Sequence, residues 1–185
     1  RIHAEGETQT VHIPLPGNHM VYNALAGTAV GLSFGMTLTE ICQGIESLKP
    51  LSGRFNILSL AGRTVVDDCY NANPVSMKAA LDLLSLADTR KVAILGDMFE
   101  LGENSDLLHS GVGCYAKGKT DLLICIGENA KHIYDGAKEA GVAHIYHFTD
   151  KESFLREKEN LLQAGDTILL KASHGMAFET LISQL

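Results

Sequence analysis

L-L-I-C-I-G-E-N-A-K-H-I-Y-D-G-A-K-E-A-G-V-A-H-I-Y-H-F, residues 122 to 148, reads as a strand, a helix and a second strand. Leu122 to Ile126 is uniformly apolar, which suits a strand covered on both faces. Asn129 to Ala140 is a helix, and Gly141 stops it. Ala143 to Phe148 resumes the extended chain. This order is a βαβ unit, whose two strands lie parallel.

The same alternation continues outward. Upstream, a helix over Asp106 to Lys117 follows a strand over Lys91 to Leu95. Before that, Asn73-Pro74 starts a helix that runs from Ser76 to Leu86 and carries Met77, Ala80, Leu81 and Leu84. Phe55 to Leu60, the pair Ala61-Gly62 and Arg63 to Val66 read as a hairpin running into a strand. Downstream come a helix over Lys151 to Leu162, a strand over Thr167 to Lys171 and a helix over Met176 to Leu185. The fold class is α/β, with a mostly parallel sheet covered on both faces. The first fifty residues differ. Residues 10 to 15 alternate as a strand, a small-residue helix spans Met20 to Leu32, and Thr39 caps a second helix to Leu48. Lys49-Pro50-Leu51-Ser52-Gly53 is a break, so the chain is expected to divide into 1–50 and 51–185.

The 185 residues are 45% hydrophobic and 20% charged, with net charge −7. That is an ordinary globular mixture, large enough for a buried core. No basic stripe is present, which argues against nucleic acid, and no polybasic segment suggests a membrane anchor. Cys42, Cys69, Cys114 and Cys125 form no C-x-x-C pair and read as reduced thiols of a cytoplasmic protein. Arg1 opens the chain without Met, so a cut from a longer protein is expected. His144 and His147 are three apart on a strand and fall on opposite faces, so no metal site is expected.

Ligands of open α/β sheets bind outside the carboxyl ends of the strands. The turns there are D-D-C-Y-N-A-N-P (67 to 74), G-D-M-F-E-L-G-E (96 to 103), Gly127-Glu128-Asn129 and A-S-H-G (172 to 175). They collect Asp, Asn and Tyr on one rim. G-C-Y-A-K-G-K-T, residues 113 to 120, matches a phosphate-loop pattern but precedes its strand instead of following one. Its amides cannot then face a phosphate. G-V-G-C-Y-A, residues 111 to 116, fails as a dinucleotide fingerprint for the same reason.

P-G-N-H-M-V-Y-N-A-L-A-G (16 to 27), S-G-R-F (52 to 55), D-D-C-Y-N-A-N-P-x-S-M (67 to 77), L-G-D-M-x-E-L-G-E (95 to 103) and K-A-S-H-G-M (171 to 176) together resemble the Mur ligases. The resemblance is strongest to the D-alanyl-D-alanine-adding type and covers nearly the whole chain. It implies a Rossmann-like, three-layer carboxy-terminal domain over 51–185, preceded in 1–50 by the helical tail of the central ATPase domain. The implied reaction joins UDP-N-acetylmuramoyl-tripeptide to D-alanyl-D-alanine with ATP cleavage, through an acyl phosphate. The phosphate loop and the Mg2+ ligands would lie upstream. No catalytic residue is expected in this chain, which is expected to be inactive alone, monomeric and cytoplasmic.

By resemblance, His19 and Asn23 lie near adenine, Arg54 reaches the nucleotide across the cleft, Asp68 accepts from ribose hydroxyls and Tyr70 lines the nucleotide side. Asn71, Asn73, Asp97, Ser173 and His174 hold the acceptor dipeptide. Two positions depart from the family: Met20 stands where Asn is usual, and His174 where Arg is usual. His lacks Arg's bidentate, permanent charge. Glu100, Glu103 and His109 belong to the motif without an assigned role. The alternatives are a diaminopimelate- or lysine-adding ligase, whose D-N-P-R turn (in the diaminopimelate type) is absent, and a non-catalytic nucleotide- or peptide-binding module.

Overall fold

The computed structural model describes residues 1–49, 51 and 53–185. Pro50 and Ser52 of the expected break lie outside the described residues. The chain divides into two units, Arg1–Pro50 and Leu51–Leu185.

In the first unit β1 (Ile2–Ala4) pairs antiparallel with β2 (Glu7–Gln9). Glu5 and Gly6 join them at φ 51° and 82°, the left-handed pair that a two-residue hairpin turn requires. The strand expected over residues 10 to 15 does not form. Pro14 and Pro16 have no N–H to give to a ladder. The His12 N–H is taken by the Glu46 carboxylate at 3.0 Å. Helix α1 (His19–Ser33) packs on α2 (Leu38–Glu46) through a small core of Ile2, Ala24, Leu38, Ile41, Cys42 and Ile45. Gly31 makes the approach possible: a Cβ there would lie 2.8 Å from Ile41. Thr37 caps α2, not Thr39, because only Thr37 has Glu40 at the third helical position to complete a reciprocal capping box.

The second unit has the order β3 (Asn56–Leu60), β4 (Arg63–Asp67), α3 (Pro74–Leu84), β5 (Lys91–Gly96), α4 (Ser105–Tyr115), β6 (Leu122–Ile126), α5 (Ala130–Ala140), β7 (Ile145–Phe148), α6 (Lys151–Leu161), β8 (Thr167–Lys171) and α7 (Glu179–Ile182). The sheet runs β3-β4-β8-β5-β6-β7, and only the β3–β4 pair is antiparallel. Strand alternation assigns the two faces. Val66, Ala93, Leu95, Leu123 and Leu169 meet α3, α4 and α5 through Met77, Leu81, Val112 and Ile133. Val65, Val92, Ile94, Ile124, Ile168 and Leu170 meet α6 and α7 through Phe154 and Leu181, with Phe178 just ahead of α7. This is the expected three-layer α/β architecture. Each large side chain so buried stabilises it by about 1.5–3 kcal/mol.

Two details depart from or refine the sequence reading. The last helix is not continuous over Met176 to Leu185. A single 3₁₀ turn, His174–Met176, gives way at Ala177 (φ 48°) to the four-residue α7. The Lys151 ammonium takes the Met176 and Ala177 carbonyls, and Phe178 drops into the core against Gly96, where a Cβ would lie 2.6 Å from its ring. Gly113, the first glycine of the rejected phosphate-loop pattern, lies inside α4 at its crossing with α5. A Cβ at Gly113 would lie 1.9 Å from the Ile133 carbonyl, and one at Gly136 would lie 2.2 Å from the Ser110 carbonyl.

Candidate functional site

Strand β8 is the last in sequence yet lies between β4 and β5. The chain therefore leaves β4 and β5 toward one face of the sheet and leaves β8 toward the other. Adjacent connections that part in this way open a crevice at the carboxyl ends of the strands. The turns 68–73, 97–101 and 172–175 follow β4, β5 and β8 at that end of the sheet.

Side chains join these turns. Lys171 ends the apolar strand β8 and is 2% exposed, so its charge must be met inside the protein. Its ammonium lies 2.6 Å from the Asp68 carboxylate and 2.9 Å from the Asn71 carbonyl. The other Asp68 oxygen accepts the Phe55 N–H at 3.1 Å. Asp67 accepts from the N–H groups of Gly53 and Cys69. The turn after β4 is thus bound both to β8 and to the segment entering β3. On the other side of β8, the Ser173 N–H donates to the Asp97 carbonyl and the Ser173 hydroxyl accepts the Phe99 N–H at 2.8 Å. The buried Asp97 carboxylate accepts the Ala130 N–H at 2.6 Å, at the start of α5. Gly127 makes room for it at φ 125°, since a Cβ there would lie 2.3 Å from Asp97 Oδ1.

Above this framework stands an exposed stack. The Arg54 guanidinium lies 4.1 Å from the centre of the Tyr70 ring, and the His174 ring lies 5.7 Å from Tyr70 on a tilted plane. A guanidinium over an aromatic face spends no N–H donor on that contact, so its donors stay available to a ligand. Burial above all, and then the charges of Asp67 and Asp68, push the Cys69 thiol far above its ordinary range. Cys69 is therefore a packed thiol and not a nucleophile. Among the described residues, no group of three His, Cys, Asp or Glu is placed to hold a metal, and no helix is long and apolar enough to cross a membrane.

Residues 53–174 match the family model "Mur ligase, glutamate ligase domain". The chain belongs to the Mur ligase family. It is 33% identical to the UDP-N-acetylmuramoyl-tripeptide--D-alanyl-D-alanine ligase of Bacillus subtilis over 98% of its own length and 41% of the relative's. Among solved structures, MurF from Acinetobacter baumannii superposes with a TM-score of 0.85 at 32% identity, over 95% of this chain and 39% of that one. MurF from Thermotoga maritima, solved in complex with ADP, gives 0.74 at 26% identity over 91% and 38%. The chain thus spans about two fifths of the length of the relatives it matches.

The expected site residues of this Mur ligase chain fall into two groups. His19 and Asn23 belong to the first unit. Asn23 lines a mostly apolar cavity of about 330 Å³ between α1 and α2, and its amide donates to the Met20 sulfur at 3.4 Å. The other eight belong to the second unit, where Tyr70 stacks on His174, and Arg54 on Tyr70. Asp68 is engaged by Lys171, and Asp97 by the start of α5. Asn71 and Asn73 are exposed on the rim. The Asn71 amide oxygen accepts the Ala72 N–H, and Asn73 caps α3 by accepting from Ser76. Lys171 was not among the expected residues. Its signal was a lone cation at the end of an apolar strand, a position that demands a buried partner.

Proposed function

We propose that this chain is the carboxy-terminal part of an ATP-dependent ligase that joins UDP-N-acetylmuramoyl-tripeptide to D-alanyl-D-alanine. Residues 1–50 are then the tail of the central ATPase domain, and 51–185 the domain that presents the acceptor. The carrying observation is the Arg54–Tyr70–His174 stack beyond the carboxyl ends of β4 and β8, braced by two networks that meet at β8. The donor set fits a nucleotide. Arg54 offers an exposed cation, with no carboxylate partner among the described residues, and Tyr70 offers an aromatic surface beside it. The tripeptide carboxylate would take the γ-phosphoryl group of ATP and release ADP, and the dipeptide amine would then attack the acyl carbon of the resulting acyl phosphate and release inorganic phosphate.

This chain's own part is positional. Lys171 holds Asp68 and the Asn71 carbonyl, so Tyr70 stands at a fixed height. Ser173 holds the Asp97–Phe99 turn, so the acceptor side stays aligned with β8. Orientation of reacting partners is a large share of catalysis in two-substrate ligation. The neutralising charge for two meeting anions, including Mg2+, then comes from the upstream part. The protein is read as a cytoplasmic monomer that engages neither nucleic acid nor membrane.

The test is ligation by the full-length parent, followed by the loss of ATP and the new amide bond. D-alanyl-D-alanine is the expected acceptor; use of diaminopimelate or lysine instead overturns the assignment. The 185-residue chain alone is expected to turn over no ATP. In the parent, R54A is expected to weaken nucleotide binding by about tenfold, the loss of one charge-assisted hydrogen bond.

A further inference from the structure

His109 is a motif residue without a role in the reading above. It lies on α4 with 0% exposure, and both of its ring nitrogens are in use. Nε2 is 2.9 Å from the Met98 backbone nitrogen, and Nδ1 is 2.8 Å from the Ser105 carbonyl oxygen. A backbone N–H can only donate, so Nε2 must accept. A carbonyl can only accept, so Nδ1 must carry the hydrogen. The two bonds together admit one form of the ring, the neutral Nδ1–H tautomer.

The bond falls on a sensitive residue. Met98 lies between Asp97, whose carboxylate reaches Ala130, and Phe99, whose N–H reaches the Ser173 hydroxyl. Phe99 is 41% exposed beside Gly175, where a Cβ would lie 3.0 Å from its ring. The imidazole is therefore the anchor from α4 for the same turn that Ser173 anchors from β8.

We propose that His109 is a positioning residue for the acceptor end of the site. Its neutral ring sets the height of the Asp97–Phe99 turn against Ser173 and so the geometry in which the dipeptide is held. The acceptor part of this inference rests on the function proposed above. The ring itself touches neither substrate nor reacting atoms.

Two variants separate the two bonds. In H109Q the amide oxygen can replace Nε2 and accept from Met98. In H109N the shorter amide can still donate to Ser105 but cannot reach Met98. In the full-length ligase, H109Q is expected to keep the KM for D-alanyl-D-alanine within about threefold of the parent. H109N is expected to raise it about tenfold, the equivalent of one buried hydrogen bond, with kcat and the KM for the UDP-tripeptide changed much less. Equal effects of the two variants, or equal shifts for all substrates, would overturn the proposal, because a merely structural ring predicts that pattern.

A second readout does not depend on activity. Nitrogen-15 spectra of the 185-residue chain are expected to show His109 protonated at Nδ1. Amide exchange at Met98 and Phe99 is expected to quicken in H109N but not in H109Q. An Nε2–H ring, or identical exchange in both variants, sinks the inference. If the parent ligase does not use the dipeptide, the functional reading fails, and the exchange measurements alone decide the role of His109.

Discussion

The two ends of the parallel sheet use similar chemistry for different ends. At the amino end, Asp166 is 1% exposed and accepts from the Arg90 guanidinium and from the Gln163 N–H. Both terminal nitrogens of Arg90 also donate to the Leu161 carbonyl, and the Arg90 carbonyl accepts the Thr167 N–H. Besides bonding to each other, the two side chains close on the backbone of neighbouring loops. At the carboxyl end, Lys171 and Asp68 form a second ion pair, in which the cation and not the carboxylate is the more buried member, but the turn they hold lifts Tyr70 to the surface under Arg54. A buried ion pair contributes little net stability once desolvation is counted, yet losing one partner is costly. Such pairs are therefore best understood by what they hold in place. The amino-end pair holds loops, and the carboxyl-end pair holds a surface.

Removing one partner tests the comparison most severely. R90M and K171M each leave a carboxylate without its cation and are expected to lose about 3–5 kcal/mol in urea unfolding, with K171M at the lower limit because Asp68 is the less buried carboxylate. The double variants separate the ends. R90M/D166N is expected to recover both stability and the parent's ligation, whereas K171M/D68N recovers stability alone. Full ligation by K171M/D68N would make the two ends equivalent and break the comparison.

A smaller effect is expected at Gly127, where alanine meets the Asp97 carboxylate and a φ of 125° that L-residues rarely adopt. G127A is expected to lower stability by about 1–3 kcal/mol. In ligation it should raise the KM for the dipeptide more than that for ATP, since it disturbs Asp97 and leaves the Arg54–Tyr70 stack alone. Equal changes in both constants would count against two separable halves of the site.

The smallest effect concerns Asp150, which lies outside both networks and caps α6. Its hydrogen bonds to Ser153, the backbone N–H first, hold the carboxyl below its ordinary range in the folded chain. A lowered folded-state value means stabilisation that is present above the unfolded value and lost as pH falls through the folded one. D150N, which still caps but does not titrate, is expected to flatten the acid limb of the thermal melting curve slightly without altering ligation. An acid limb unchanged from the parent would remove Asp150 as a contributor.

Much of the fold was legible because its signals are local. Leu122 to Ile126 is apolar throughout because neighbours cover both faces, and Gly141 stops α5 in the left-handed conformation, φ 84°. The hairpin over Glu5-Gly6 leaves little trace in the sequence because its strands are only three residues long and mostly polar, while the run at 10 to 15 is more apolar and carries a single proline, Pro14. At the site, the three turns could be named from the strand ends alone. The occupation of Asp68 and Asp97 could not, since their partners lie 103 and 33 residues away.

Residue type and spacing, which act within a few positions of the chain, therefore determined the strands, the helices and the rim on which the polar turns gather. Tertiary structure decided which of those polar groups remain available. It paired Lys171 with Asp68, chose the tautomer of His109 and left Arg54 facing outward on Tyr70. The reason is physical: a buried charge or ring nitrogen takes whatever partner the packed chain brings within about 3 Å, and that partner is set by topology, not by sequence distance.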